Sequence, residues 1–291
     1  MLNRVVRRTA RGYEVEADPR HAELIIEQLL EPETRTLSTP GCNEEKEDEE
    51  GKELVGEDAT RYRAIAARCN YLSLDRPDLQ FAVKEVCREM SKPTTKAWAR
   101  LRRIGQYLKG KPRVVWQYEW QDQCSTLDVF ADANWAGCRR TRKSTSGGCA
   151  MLGYHCIKSW SKTQAVVAKS SAESELYGIV KATCEALGTL TLIEELGGSM
   201  QAMVHVDASA AKSIVERAGL DKVRHIDVNV LWLQEQEIRG RAPLSKIPGT
   251  ENPADLMTKH LDARKVGEHL TRMNVVFMSG RSEKASNLLC V

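Results

Sequence analysis

After residue 120 the chain changes its periodicity, and the order of its elements from there on restricts the fold to few solutions. Thr126–Asp132, Gly147–Gly153 and Cys156–Ser161 each read as a short strand, with Gly153-Tyr154-His155 as the turn between the last two. One long amphipathic helix then covers Ser171–Leu196. Its apolar stripe is Leu176, Ile179, Val180, Thr183, Leu187 and Leu190, and Gly197-Gly198 ends it. Met203–Asp207 is a fourth strand. Ala208–Ala218 is a helix closed by Gly219, and Val228–Ile238 is another. Leu244–Ile247 is a fifth strand, turned by Pro248-Gly249 before a final helix from Ala254 to Lys259. Three hairpin-linked strands followed by two strands reached through helices predict an α/β fold, a mixed five-stranded sheet with helices packed on it.

The first 120 residues have a different character. Residues 1–40 open with a hairpin and continue into a helix started by Asp18-Pro19, with Leu24, Ile25, Leu29 and Leu30 at helical spacing. Between Glu44 and Glu53 lie seven acids against Lys46 and Lys52, a run that predicts a mobile acidic linker. Helices are expected over Arg61–Leu72, Asp78–Met90 and Thr95–Lys109. From Lys92 to Arg113 there are eight basic residues and no acid, and Arg139, Arg140, Arg142 and Lys143 form a second basic cluster. Net charge is only +3, so the clusters and not the total point to a polyanion, since Lys and Arg release counterions from a phosphate backbone. The competing reading of both clusters is an ordinary solvated face.

Composition excludes some classes. Hydrophobic residues make up 42% of the chain, too many for a disordered type. The nine cysteines include no CxxC pair, against a zinc knuckle or ribbon. Their odd number, with no signal peptide in the sequence, predicts reduced thiols and an intracellular protein, cytoplasmic or nuclear and not secreted. No apolar stretch reaches the roughly 18–20 residues that span a bilayer, and no membrane partner is expected.

Acids recur at the ends of the expected elements. Asp132 ends the first strand of the sheet, Glu173 and Glu175 open the long helix, Asp207 ends the fourth strand, and Asp255 begins the last helix. Ends of neighbouring central strands come together, and converging carboxylates repel unless a cation neutralises them. Mg²⁺ suits such a place, since it takes few protein carboxylates and completes its shell with phosphate oxygens. Two such ions about 3.5–4 Å apart clamp the attack of water on a phosphodiester. Taken singly, each acid has an ordinary alternative as a cap or a first-turn acid on a helix dipole. Helical phase does not separate Glu173 from Glu175, since at about 100° per residue they flank the apolar stripe on opposite sides.

Sequence context narrows these choices. Ala131-Asp132-Ala133-Asn134-Trp135-Ala136-Gly137 resembles the S-D-A-D-W-A-G opening of copia-type ribonucleases H (RNases H), and Arg142-Lys143-Ser144-Thr145-Ser146-Gly147 resembles their next segment, R-K-S-T-S-G. Ile157–Gln164, Val167–Tyr177, Val206-Asp207, Arg224–Val228 and Asn252–Lys259 resemble the later segments in family order. Upstream, Tyr71-Leu72 with Arg76–Val83, and Ile104–Gly110, resemble the end of copia-type polymerases. The set runs from about residue 60 to 262 and identifies the chain as similar to the C-terminal part of a copia-type retrotransposon Pol polyprotein, the end of a reverse transcriptase plus an RNase H domain. Two departures stand out: Asn134 replaces the second aspartate of the first motif, and Ala208 replaces the asparagine after Asp207.

The resemblance implies an RNase H-like domain over 121–273, preceded by a residual reverse-transcriptase segment (1–41), the acidic linker (42–60) and a mostly helical thumb or connection remnant (61–120), and followed by a loose tail (274–291). It assigns catalysis and metal binding to Asp132, Glu175, Asp207 and Asp255. The glutamate is chosen because the family's second glutamate is the catalytic one, leaving Glu173 as a solvated first-turn acid. The cofactor implied is Mg²⁺, two ions, with Mn²⁺ as a substitute. The partner implied is an RNA–DNA hybrid, held by Arg100, Arg103, Lys109, Arg139, Arg142 and Lys143, with other polyprotein parts as further partners. His225 and His260 are candidate active-site histidines. Trp135 and Trp160 are expected in the core, Asn134 as a turn residue and Asp78 as a helix-start acid. With no Y-x-D-D motif, polymerase activity is not expected. The function implied is metal-dependent hydrolysis of RNA in hybrids by a piece of a truncated polyprotein. The alternative is a catalytically silent transposon remnant that at most binds nucleic acid.

Overall fold

The computed structural model describes residues 3–42, 51–217 and 227–285. In chain order the strands and helices are β1 (Val5–Thr9), β2 (Gly12–Glu16), α1 (Pro19–Leu29), α2 (Gly56–Ser73), α3 (Gln80–Cys87), α4 (Thr95–Gly110), β3 (Arg113–Glu119), β4 (Thr126–Asn134), β5 (Thr145–Leu152), β6 (His155–Thr163), α5 (Ser171–Glu195), β7 (Gln201–Val206), α6 (Ser209–Glu216), α7 (Asp227–Ile238), β8 (Leu244–Lys246), α8 (Ala263–Arg272) and β9 (Val275–Met278). The chain divides into two compact units, Met1–Trp120 with His260–Val291, and Gln121–Lys259.

In the first unit, Asp18 caps α1 by accepting the Arg20 N–H, as Asp18-Pro19 led one to expect. The helices α1 to α4 bury Ile25, Tyr62, Ile65, Val83, Leu101, Ile104 and Leu108 in one core, joined by Leu79 just before α3. This unit is less helical than the sequence suggests. β3 forms where a helical remnant was expected, and it joins an antiparallel sheet in the order β1-β2-β3-β9. The expected loose tail supplies β9, which pairs Val275 with Trp116 and Val276 with Val115. A second helical difference is α2, which starts at Gly56, inside the expected linker. Most of the acidic run, residues 43–50, lies outside the described residues.

The second unit holds the five-stranded sheet in the order β6-β5-β4-β7-β8. β4 pairs antiparallel with β5, and β5 with β6, while β4–β7 and β7–β8 are parallel. This is the mixed five-stranded sheet expected from the order of the elements. Gly153, at φ +57°, makes the tight turn from β5 to β6. Alternation along β4 sends Leu127, Val129 and Ala131 into the core with Leu176, Ile179, Ala182 and Ala186 of α5. By length and composition α5 is apolar enough to cross a membrane, contrary to the expectation that no such stretch exists. Here one face of it is buried in the core cluster of the sheet. Two boundaries differ from expectation. The unit closes at Lys259 and not at residue 273. The helix expected from Ala254 is a short 3-10 segment, Pro253–Met257, begun by Asn252 and Pro253.

Candidate active site

β4 and β7 run side by side only as far as Phe130 and His205. Asp132 lies two residues beyond that pair on β4, and Asp207 follows directly after β7. Glu175, in the second turn of α5, reaches the same place. One carboxylate oxygen from each of Asp132, Glu175 and Asp207 lies within 4.8 Å of the others. Three oxygens so disposed suit a hard divalent cation, and the three residues could hold one.

The fourth expected acid, Asp255, sits on the 3-10 segment, whose position is fixed by several short-range devices. Asn252 is fully buried; its Nδ2 donates to the Ala131 carbonyl at 2.8 Å and its Oδ1 accepts the Ala254 N–H at 3.1 Å. That bond satisfies a β4 carbonyl beyond the last β7 pairing. Gly147 makes room for the segment: a Cβ there would meet Thr258 Cγ2 at 2.5 Å and Met257 Cβ at 2.8 Å. Thr258, fully buried, donates its hydroxyl to Asp132 Oδ2. Asn134 donates from Nδ2 to the Thr258 carbonyl at 3.2 Å. An aspartate at 134 has no proton to give that carbonyl, so the departure from the family motif has a positive role here, beyond that of a turn residue. Ala208, the other departure, starts α6 without a side-chain cap. Asp255 itself is ion-paired: Lys259 Nζ lies 2.7 Å from Asp255 Oδ1 and 3.7 Å from Asp132 Oδ2. Neither Thr258 nor Lys259 was given a role by the sequence, although both close the Asn252–Lys259 motif.

Glu173 and Glu175 separate cleanly. The Glu173 N–H is accepted by Ser170 Oγ at 3.2 Å, and its own Oε2 accepts the Lys169 N–H at 2.8 Å, an arrangement close to a capping box. Glu173 is thus a buried cap and not the solvated acid expected.

The cluster's electrostatics follow from burial and like charge. Glu175 is pushed up to about 9 by burial, then by Asp132 and Asp207, with Lys259 and the Ala133 backbone opposing. Burial and Asp132 raise Asp207, and they push Asp255 to about 6. Without a cation, Glu175 therefore holds a proton that the unfolded chain releases above 4.5. The native state binds more protons than the unfolded one between 4.5 and about 9, so this contribution to stability is full below 4.5 and is lost as pH rises through that window. A cation must displace the same proton. Mn²⁺ affinity is therefore expected to rise about tenfold per pH unit from roughly pH 6 to 8, with about one proton released per ion. Calorimetric titration in two buffers of different ionisation enthalpy measures this, and a pH-independent affinity would show Glu175 already ionised.

The remaining expected residues are placed differently. Arg139 and Arg142 are exposed and Lys143 is half-buried, on a turn closed by the Cys138 N–H to Lys143 carbonyl bond at 3.1 Å and the Arg142 N–H to Cys138 carbonyl bond at 2.7 Å. Arg100, Arg103 and Lys109 lie on α4 in the first unit. Lys109 donates to the Thr34 carbonyl at 2.8 Å and also to that of Pro32, and Arg103 donates to Thr39 Oγ1 at 2.9 Å. These two cations tie down the chain after α1, which explains them without a nucleic acid. His260 belongs to the first unit, edge-on to Phe81 at 4.7 Å, and burial lowers it to about 4. His225 lies outside the described residues. Trp160 packs partly buried on the core as expected, but Trp135 is 47% exposed, its indole N–H held by the Ala168 carbonyl at 3.0 Å.

No family model matches the chain. The retrovirus-related Pol polyprotein from transposon RE2 of Arabidopsis thaliana is 29% identical over 220 residues, covering 72% of this chain and 15% of that protein. The corresponding polyprotein from transposon TNT 1-94 of Nicotiana tabacum is 29% identical over 192 residues, covering 65% of this chain and 14% of its own length. Among solved structures, LC11-RNase H1, isolated from compost, aligns with 46% of this chain and 93% of its own at 11% identity, with a TM-score of 0.38. The chain thus spans only a small part of the polyproteins it matches. By sequence the chain is similar to the retrovirus-related Pol polyproteins of copia-type transposons.

Proposed function

We propose that the second unit is a divalent-metal-dependent RNase H that hydrolyses the RNA strand of RNA–DNA hybrids, and that the first unit derives from the end of a reverse transcriptase. The observation that carries this reading is the convergence of Asp132, Glu175 and Asp207 from three different elements to within 4.8 Å, in a cluster whose like charges a divalent cation would relieve. The donor set is all carboxylate, which fits Mg²⁺, with Mn²⁺ as a substitute, and excludes a site built for softer ions. Asp132, Glu175 and Asp207 would hold one ion, and Asp255 would serve a second. Bound there, such ions supply an activated water and stabilise the departing 3′ oxygen.

The chain's own residues do the rest. Thr258 fixes the Asp132 carboxylate, and Asn252 fixes the segment that carries Asp255. Arg139 and Arg142 on their exposed turn, with Lys143 beside them, would hold backbone phosphates, which positions a strand without reading its sequence. A 2′-hydroxyl would mark the strand to be cut.

The test is cleavage of a labelled RNA–DNA hybrid by the purified chain with Mg²⁺, with Mn²⁺ and with chelator, beside single-stranded RNA and duplex DNA. Cutting confined to the RNA of the hybrid, and abolished by chelator, is expected. A folded chain that binds the hybrid in a salt-dependent way and never cuts it would overturn the enzyme and leave a nucleic-acid-binding remnant.

A further inference from the structure

We propose that Lys259 is a built-in cation of this site, whose ammonium occupies the charge position of one divalent ion beside Asp255, so that one ion binds tightly and a second only when the lysine moves out. The proposal rests on the RNase H reading and adds a positioning residue that sets metal stoichiometry.

One of the four acids stands apart from the others. Asp132, Glu175 and Asp207 offer oxygens within 4.8 Å of one another, and Asp255 is not among them. Its Oδ1 is instead 2.7 Å from Lys259 Nζ, which also lies 3.7 Å from Asp132 Oδ2. A single positive charge therefore bridges the fourth acid to the one that the other three share. A divalent ion bridging the same two carboxylates would have to meet this ammonium, and like charges a few ångströms apart repel strongly where water is scarce.

The backbone makes that arrangement specific and the side chain makes it reversible. Thr258 is held from three directions, by its hydroxyl on Asp132, by Asn134 on its carbonyl, and by its methyl against the space that Gly147 leaves. The Lys259 N–H is accepted by the Asp255 carbonyl at 3.3 Å. The Cα of Lys259 is thus fixed at the site, while its side chain keeps 42% exposure. A long flexible stem rooted in a fixed backbone can leave for solvent without disturbing the fold.

The experiment is Mn²⁺ binding to the full chain, followed by calorimetry and by the electron paramagnetic signal of free Mn²⁺, for wild type, Lys259→Met, Lys259→Arg and Asp207→Asn. Wild type is expected to bind one ion, with the second weaker by at least about tenfold. Lys259→Met should close that gap, so that two ions bind with similar affinity, and Lys259→Arg should restore it. Asp207→Asn should weaken the first ion. Identical isotherms for wild type and Lys259→Met would overturn the proposal. Hybrid cleavage by the same wild-type preparation separates the two failures. Cleavage with identical isotherms removes Lys259's role and leaves the nuclease, whereas no cleavage and no Mn²⁺ binding removes both.

Discussion

Asp132→Asn is expected to lower hybrid cleavage by about 10³-fold or more while leaving the second unit at least as stable as wild type. Two facts about this side chain make the pair of outcomes distinctive. It acts on each of its charged neighbours: it raises Glu175, Asp207 and Asp255, and it draws in Lys259. It is also 4% exposed and accepts the Thr258 hydroxyl. Asparagine keeps an oxygen for that hydroxyl and nearly the same shape, so packing is preserved. What disappears is a negative charge that its neighbours resist. Burial remains, but the next largest cause of the raised Glu175 and Asp255 is removed. In the absence of metal the melting temperature should therefore stay level or rise by a few degrees. In the presence of Mg²⁺ the wild type should gain more stability than the variant, because ligand binding to the native state alone stabilises it. Cleavage rates and melting curves with and without Mg²⁺ on one preparation give all four numbers. Retained activity in Asp132→Asn would end the catalytic assignment, and a collapsed melting curve would show the residue to be structural.

How far the sequence foretold this depends on the range of the interactions involved. The β4–β5–β6 meander and α5 were readable because their signals are local: alternation, a glycine turn, a stripe and a glycine stop. The mixed character of the sheet followed from the order of its elements, three hairpin-linked strands before two reached through helices. The acids at element ends were visible too, yet Glu173 and Glu175 were not separable, because what separates them is the Lys169 N–H and the Ser170 hydroxyl at the start of the helix. β3 and β9 escaped because their pairing is long-range: β3 pairs with β2 and with β9, Trp116 with Val275, and the whole second unit lies between β3 and β9 in sequence. Val275–Met278 is too short a run to read as a strand by itself. Lys259 escaped for a different reason. A lysine four residues after an aspartate is an ordinary helical ion pair on paper, and only the approach of β4 turns it into a partner of Asp132. Trp135 was expected in the core, yet its indole N–H is held at the surface by the Ala168 carbonyl. The family resemblance resolved the glutamate that phase could not, which is information of a kind that local physics does not contain.

The same contrast governs Arg76 and Asp78, where Asp78→Ala is expected to destabilise the first unit by about 3–5 kcal/mol. The sequence offers Arg76-Pro77-Asp78 as a helix start, and an acid near a polymerase motif invites a metal-binding role. The structure gives this carboxylate no room for one. Asp78 accepts from Arg76 Nε at 2.9 Å and Nη2 at 2.7 Å, and from the Tyr107 hydroxyl at 2.8 Å. Both charged side chains are essentially without solvent exposure, at 1% and 0%. The remaining guanidinium donors go to the carbonyls of Pro112 at 3.2 Å and Lys111 at 3.0 Å. One ion pair thus joins the turn between α2 and α3 to the connection between α4 and β3, and Tyr107 closes it from α4. Burial, then Asp78, holds the Tyr107 hydroxyl protonated far above its usual range. Removing the carboxylate strands a buried guanidinium, which is why the cost exceeds that of losing one hydrogen bond. Tyr107→Phe removes only one donor and should cost about 1–2 kcal/mol. Replacing both charges by apolar residues, as in Arg76→Met with Asp78→Leu, should cost less than Asp78→Ala alone, since no charge is left without a partner. Urea denaturation, with hydrogen exchange to locate the change in the first unit, checks the series. A loss below about 1 kcal/mol for Asp78→Ala would mean that water or another group satisfies Arg76, and that the motif serves something other than the fold.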